Sequence, residues 1–259
     1  NRKNAIRTNG DKLLQLSCEK RDLKLLRYLV EKGENINQQK GFILLLIACQ
    51  RGYISIVKYL IDLGIDVNLY NEIPTPLYEA CEMDYLDIVQ YLLDKRAEVI
   101  LSTQDSLEFS LLYLLCNLEK FDIVKYLVEN GADVNHQNHD GNTPLFIVCK
   151  RGNLKIVQFL VKNKPDVNQP NNEGNTPLLR ACKSRHLKII QLLLEKGANI
   201  NHRNNEGDTP LLISYKRDNL EIIKYLLEHG ADVNYENDQG DNLLLWGIQK
   251  GRQEVFEWI

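Results

Sequence analysis

The chain has 259 residues, of which 44% are apolar and 26% are charged, and this balance excludes an intrinsically disordered protein. Its formal net charge of −3 gives no global attraction to nucleic acid. The longest apolar run extends only from Phe42 to Cys49, which is too short to cross a bilayer, so membrane insertion is not expected.

Apolar residues recur along the chain in pairs of helix-like stretches, of which residues 145–150 and 154–161 form the clearest pair. The second stretch repeats its apolar residues with helical spacing, which predicts one buried face made of Ile156, Val157, Phe159 and Leu160. Pro144 suits a first helical turn, with Thr143 as the N-cap. Gly131, Gly197 and Gly230 follow the second helices and are expected to end them in the left-handed conformation.

Two short motifs repeat with a constant period of 33 residues. Copies of Gly-x-Thr-Pro-Leu occupy residues 141–145, 174–178 and 207–211. Copies of Asp-Val-Asn or Asn-Ile-Asn occupy residues 133–135, 166–168, 199–201 and 232–234, with earlier copies at 35–37 and 66–68. Self-similarity at this period indicates a solenoid, in which each unit contacts only its neighbours.

We therefore predict one domain over residues 7–259, preceded by an N-terminal flank at residues 1–6. Each unit consists of a helix, a turn, a second helix and an extended finger. In chain order the eight units span residues 7–37, 38–69, 70–104, 105–137, 138–170, 171–203, 204–236 and 237–259, the last being cut short.

These residues resemble the ankyrin repeat. Its hallmarks are present as Gly-x-Thr-Pro-Leu, as the run Arg151-Gly152-Asn153-Leu154, and as the run from Asn130 to Asn135. The resemblance implies an all-α solenoid of helix-turn-helix units joined by β-hairpin-like fingers. In one respect the chain departs from the family, because the His expected after Thr-Pro-Leu is replaced by Tyr78, Phe146, Leu179 or Leu212.

The fingers are the least regular part of the repeat. Residues 37–43 and 68–75 are shorter than the finger at 135–143, whereas residues 100–110 are longer. Arg96 and Lys164 stand where Gly is expected, at a cost of about 1 kcal/mol each if the position stays left-handed. Two interpretations of the irregular finger at 100–110 are open, namely drift in a tolerant loop or a specialised contact loop.

The six cysteines occupy one equivalent position in the first helices of six successive units: Cys18, Cys49, Cys81, Cys116, Cys149 and Cys182. Equivalent helices of adjacent units lie about 8–10 Å apart, beyond the ~7 Å Cα separation that a disulfide tolerates. We expect six small buried residues with free thiols. Free thiols imply a reducing compartment, so the expected location is cytoplasmic or nuclear.

Histidines are the remaining candidates for a metal or catalytic site. His136 and His139 lie on one finger beside Asp140, and a metal site there would need a further ligand such as Glu173. The simpler interpretation is that these are surface residues of a finger. The chain contains no nucleophile elbow and no phosphate-binding Gly loop, so we expect no catalytic residues, metal, cofactor or small-molecule substrate.

The resemblance implies that a partner binds in a concave groove between the finger tips and the exposed edge of the first helices. Carried over by position, the candidates are His139, Asp140, Asn142, Glu173, Glu206 and Asp208 on the fingers, Lys150, Arg151, Lys183, Lys216 and Arg217 on the helix edge, and Trp246 on the inner helical face. The finger carboxylates are expected to be solvated. Two stripes of opposite charge would result, and they either orient an extended partner or only complement helix dipoles and solubilise turns.

The function that the resemblance implies is a non-enzymatic scaffold that binds a partner protein or extended peptide, as a monomer. The alternative is a targeting or regulatory domain of a larger enzyme, channel or ubiquitin-ligase adaptor, since the chain lacks an initiator Met and ends within a predicted helix. Binding of nucleic acid along the basic edge is disfavoured by the acidic fingers.

Hydroxylation is a further implication of the resemblance, at Asn68, Asn135, Asn168, Asn201 or Asn234.

Overall fold

A computed structural model of the protein describes residues 2–70, 74–102 and 108–251. The chain divides into two compact units, Asn1–Leu111 and Leu112–Ile259. Both consist of antiparallel helix pairs, as the apolar periodicity predicts. The helices of the first unit are α1 (Arg2–Glu19), α2 (Leu23–Glu31), α3 (Gln38–Gln50), α4 (Ile54–Asp62), α5 (Pro76–Glu82) and α6 (Leu86–Asp94).

The helix α7 (Leu111–Asn117) begins where the first unit ends. The helices that follow it are α8 (Phe121–Glu129), α9 (Pro144–Arg151), α10 (Leu154–Lys162), α11 (Pro177–Ser184), α12 (Leu187–Glu195), α13 (Pro210–Lys216), α14 (Leu220–Glu228) and α15 (Leu243–Lys250). Because α1 already begins at Arg2, residues 2–6, which were assigned above to an N-terminal flank, are helical.

Threonine caps start the first helices of four repeats. The Oγ1 of Thr143 accepts a hydrogen bond of 3.2 Å from the Phe146 backbone N–H, and Pro144 follows in the first turn. Equivalent caps are present at Thr75, Thr176 and Thr209. The cap predicted at Thr143 is confirmed, and it satisfies one of the N–H groups that every helix start leaves without a partner.

Each second helix buries one apolar face. Ile156, Val157 and Leu160 of α10 have no exposed surface, as predicted. Phe159 differs, since it is half-buried and meets Phe121 edge to face with ring centroids 5.8 Å apart. Burial of apolar area is the main favourable term in folding. The buried face of the helix must therefore carry apolar residues at helical spacing, and this spacing can be recognised in the sequence.

Left-handed residues end the second helices. Gly131, Gly197 and Gly230 have φ values of 89°, 87° and 90°, which confirms the prediction for these glycines. Arg96 and Lys164 take the same conformation, with φ values of 63° and 56°. The fold therefore keeps the turn geometry even where the sequence offers a residue that is strained there.

The long finger at 100–110 contains the two strands that the described residues include. The strands β1 (Ile100–Ser102) and β2 (Glu108–Ser110) pair antiparallel, with Ile100 opposite Ser110. Residues 103–107, which join them, lie outside the described residues, so the proposed contact loop there stays a prediction.

Candidate partner-binding groove

The fingers of the second unit are held by one asparagine in each repeat. The Oδ1 of Asn171 accepts hydrogen bonds from the backbone N–H groups of Glu173 (3.1 Å) and Asn175 (2.8 Å). Its Nδ2 donates to Asn142 Oδ1 of the preceding finger over 2.9 Å. Equivalent pairs of accepted bonds occur at the other three positions. We call Asn138, Asn171, Asn204 and Asn237 the asparagine ladder.

Backbone hydrogen bonds join successive fingers into a row. The N–H of Asn172 donates to the Asp140 carbonyl (3.0 Å), and that of Asn205 donates to the Glu173 carbonyl (3.1 Å). Gly141 permits this approach, because its φ is 76° and an added Cβ would lie 2.8 Å from the Asn172 backbone nitrogen. The row is thus preformed, with its acidic side chains placed by local geometry and by contacts to the neighbouring repeat.

Two adjoining cavities run between the finger row and the first helices. One, of about 360 Å³, lies between the fingers of residues 139–142 and 171–173 and the inner faces of α7, α9 and α11. The other, of about 530 Å³, lies between the fingers of residues 172–175 and 204–208 and the inner faces of α11 and α13. Asn172 and Glu173 line both, so the two cavities form one groove, which we call the finger groove.

Ten of the twelve predicted partner-binding residues line the finger groove: His139, Asp140, Asn142, Lys150, Glu173, Lys183, Glu206, Asp208, Lys216 and Arg217. The structure brings the acidic finger residues to one wall and the basic helix-edge residues to the other. Trp246 lines a separate cavity of about 150 Å³ beside α13 and α15, and its ring stacks on Tyr215 with centroids 5.1 Å apart.

Arg151 lies outside the finger groove. Its Nε and Nη2 donate hydrogen bonds of 2.9 and 2.7 Å to the Oδ1 of Asn117, at the end of α7. The arginine therefore bridges the ends of two first helices. Arg151 is the last residue of α9, and its side chain binds a neighbouring repeat.

The expectation that Asp208 is solvated is wrong. Its side chain is only 5% exposed, and both carboxylate oxygens lie 2.9 Å from Lys216 Nζ. Asn237 Nδ2 donates to the same carboxylate over 2.8 Å, and Asp241 lies 3.6 Å from Lys216. Although burial alone would lower the pKa of Lys216, the hydrogen bond and charge of Asp208 raise it. At this repeat Asp208 and Lys216 neutralise each other, whereas Glu206 and Arg217 stay exposed.

The inner helical face is only partly core, because Ile47, Leu114 and Trp246 are half-buried there. Ile147 and Ile213 are 4% and 6% exposed. Arg180 was not among the predicted site residues, yet it lies in the same register on α11 and lines the finger groove together with Tyr113 and Phe146. The signal that could have revealed it is a charged residue at a repeat position where every other repeat except that of Glu79 has an apolar residue.

All six cysteines are buried and free, as predicted. Burial raises the pKa of all six thiols, and for Cys18 and Cys182 it raises the pKa to about 12. Because the thiolate is the form that binds metals and acts as a nucleophile, thiols held protonated in this way do neither.

Among the residues that the structure describes, no group of three His, Cys, Asp or Glu side chains is placed to hold a metal ion. His139 Nδ1 lies 3.8 Å from Asp140 Oδ1, and both side chains are largely exposed. His136 is half-buried, and its Nδ1 has no hydrogen-bond partner in the described part of the chain. None of the described helices has the length and apolarity of a membrane span.

Comparison with known families agrees with this architecture. A family model described as ankyrin repeats matches the chain three times, over residues 14–103, 111–204 and 199–259. The chain therefore belongs to the ankyrin-repeat family, and the predicted all-α repeat fold is confirmed. Ankyrin repeats generally serve as protein–protein interaction modules and are typically non-enzymatic. No curated protein matches the chain.

Proposed function

We propose that this protein is a non-enzymatic scaffold that binds an extended segment of a partner protein in the finger groove. The observation that carries the proposal is the division of charge along one continuous groove. The finger wall is acidic and the helix wall is basic, with Asp140, Glu173 and Glu206 on the first and Lys150, Lys183 and Arg217 on the second. Such a surface attracts and orients a chain that carries both signs of charge.

The finger groove is suited to binding because it needs little rearrangement. Each finger is held by the asparagine ladder and by backbone hydrogen bonds to its neighbour. A preformed surface loses little conformational entropy when a partner binds, so more of the contact free energy appears as affinity. The six free thiols support a cytoplasmic or nuclear location for such a complex, and we expect the scaffold to be a monomer.

Peptide display tests the proposal without knowledge of the partner. A phage library of random peptides is selected on the wild-type protein, and enriched peptides are synthesised and their dissociation constants measured by fluorescence anisotropy. The groove variant combines Lys150→Glu, Lys183→Glu and Arg217→Glu. The control variant changes three lysines that are exposed on the second helices, which alters the net charge equally: Lys162→Glu, Lys188→Glu and Lys224→Glu.

We expect the groove variant to lose at least about tenfold in affinity for peptides that carry acidic residues, while the control variant binds as the wild type does. Affinity should also fall as salt rises, because the charges are exposed. Lys216 is left unchanged, since its ion pair with buried Asp208 belongs to the fold. Equal losses in both variants, or no enriched peptide at all, would contradict groove binding.

A further inference from the structure

Arg180 occupies an unusual position in the repeat. The equivalent residues of the preceding and following repeats are Ile147 and Ile213, which are 4% and 6% exposed. Arg180 therefore places a charged guanidinium at a position where the adjacent repeats have a buried isoleucine. Because α11 lies at the centre of the finger groove, the charge stands at the middle of the proposed binding surface.

The guanidinium of Arg180 feels the charge of Glu173, but it forms no ion pair within 4 Å among the described residues. Its Cζ lies 5.9 Å from the centroid of the Phe146 ring. Its Nε is buried, and no hydrogen-bond acceptor in the described part of the chain reaches it. Burial, followed by the charge of Arg217, lowers the pKa of Arg180, although the group remains a cation. A buried donor without a partner is destabilising, so the fold carries a cost at this position.

The cavity beside Arg180 can admit a side chain. It measures about 360 Å³ and opens to solvent between the fingers and α9. Lys150 contributes a second cation to its lining, and Phe146 and Tyr113 contribute aromatic surface. The planar donors of an arginine match the two oxygens of a carboxylate, which favours an acidic group as the occupant.

The carboxylates on the opposite wall limit the charge of that occupant. Asp140 and Glu173 line the same cavity, and both are exposed acidic residues. A singly charged carboxylate that faces Arg180 and Lys150 meets less repulsion from this wall than a phosphate of nearly two negative charges. The balance of charge therefore favours Asp or Glu over a phosphorylated residue.

We infer that Arg180 is the anchor of the finger groove, where it binds the carboxylate of an Asp or Glu side chain in the extended partner segment. The inference rests on the proposed function and adds to it the chemistry that the central subsite recognises. Recognition of the acidic residue of the partner then depends mainly on Arg180, and Lys150 adds a second positive charge to the same cavity.

The test uses Arg180→Ile, which restores the residue type found at the equivalent positions of α9 and α13. Random-peptide selections are run in parallel on the wild type, on Arg180→Ile and on Lys188→Gln, a control that removes one exposed charge from a second helix. Circular dichroism and urea unfolding confirm that each variant is folded. One wild-type binder is then made in three forms, with Glu, Gln or phosphoserine at the enriched acidic position.

With the wild type and Lys188→Gln, we expect enrichment of Asp or Glu at one position, and at least about tenfold weaker binding of the Gln form than of the Glu form. With Arg180→Ile, the enrichment should disappear and the two forms should differ by less than about twofold. This non-additivity assigns the carboxylate to Arg180.

Three results would overturn the inference. Groove-dependent peptides without an enriched acidic position would do so, as would an equal preference for Glu in the wild type and in Arg180→Ile. Both would leave groove binding itself intact. Tighter binding of the phosphoserine form would replace the carboxylate with a phosphate. Absence of any groove-dependent peptide would instead remove the proposed function, and the inference with it.

Discussion

The two units of the chain share the helical repeat but build their fingers differently. In the second unit the asparagine ladder and the backbone hydrogen bonds between fingers repeat with the 33-residue period. In the first unit the short finger expected at residues 37–43 is helical from Gln38 on. Gln38 reaches the next repeat instead, because its Nε2 donates to the Gly64 carbonyl and its Oε1 accepts from the Asp66 N–H. The helices of a repeat are held by many buried apolar residues, whereas the conformation of a finger depends on the hydrogen bonds of one or two side chains.

The same register position also carries opposite charge in the two units. Glu79 of α5 is the counterpart of Arg180 in α11. Burial, followed by the charge of Glu82, raises the pKa of Glu79, so its environment disfavours the ionised form. One scaffold can thus present either sign of charge on its inner face without altering the buried apolar residues around it.

The largest expected effect is the protection of the thiols. Burial raises the pKa of Cys18 in the first unit and of Cys182 in the second from 9.0 to about 12. The thiolate is the reactive form, so both should be alkylated by iodoacetamide at least about 1,000-fold more slowly in the folded protein than in the unfolded chain. Peptide mass spectrometry after timed labelling measures both rates.

Labelling in rising urea then compares the two units. We expect the three cysteines of the first unit to become reactive at lower urea than the three of the second, because the described fingers of the first unit lack the asparagine ladder. The two sets are Cys18, Cys49 and Cys81 in the first unit and Cys116, Cys149 and Cys182 in the second. Simultaneous labelling of all six would show that the ladder does not set the relative stability of the units.

Alkaline pH should destabilise both units by several kcal/mol. The folded-state pKa of each thiol is raised, so the buried thiols stay protonated while those of the unfolded chain ionise above about pH 9. The free energy of unfolding should fall by about 1.4 kcal/mol per pH unit per cysteine between the unfolded and folded pKa values. Urea unfolding at several pH values measures the slope. Cys18→Ala and Cys182→Ala should each make the slope shallower in the unit that contains the change, and unchanged slopes would contradict this cause.

Removal of one ladder residue should cost the second unit about 2–3 kcal/mol. Asn171→Ala leaves two backbone N–H groups of the finger without their acceptor and breaks the bond to Asn142. The matched control is Asn172→Ala, which loses an exposed bond to the His139 carbonyl and should cost about 1 kcal/mol or less. Urea unfolding with cysteine labelling assigns each loss to a unit. Equal effects of the two changes would argue against a special role of the ladder.

The smallest effect should be a gain in stability at the two strained turns. Arg96→Gly in the first unit and Lys164→Gly in the second relieve a positive φ, and each should add about 1 kcal/mol to the free energy of unfolding. The reverse change, Gly197→Ala, should cost about the same. Thermal unfolding measures all three. A gain at only one of the two turns would show that the surrounding fingers, and not the backbone conformation alone, decide the strain.

Much of the fold could be predicted because its determinants are local or periodic. A cap such as Thr143 bonds a residue three positions away, a left-handed glycine ends its own helix, and a buried face repeats with helical spacing. The position of the groove followed from the family resemblance, and ten of the twelve residues selected for it do line it.

The remaining features depend on contacts between repeats. The bond from Arg151 to Asn117 joins residues 34 positions apart, and that from Asn237 to Asp208 joins residues 29 apart. The sequence shows that Arg151 and Asp208 are charged, but it does not show which residues of the neighbouring repeats form hydrogen bonds with them.

By itself the sequence determined the 33-residue repeat and the burial of the cysteines, and the resemblance to a family indicated where a groove would lie. Only the tertiary structure decided which charges are neutralised within the fold and which remain exposed. The physical reason is that a charge can reach any of several neighbours within a few ångströms, and the stacking of repeats selects among them. Asp208 is buried in an ion pair with Lys216, and Arg180 is a half-buried cation whose Nε has no acceptor among the described residues.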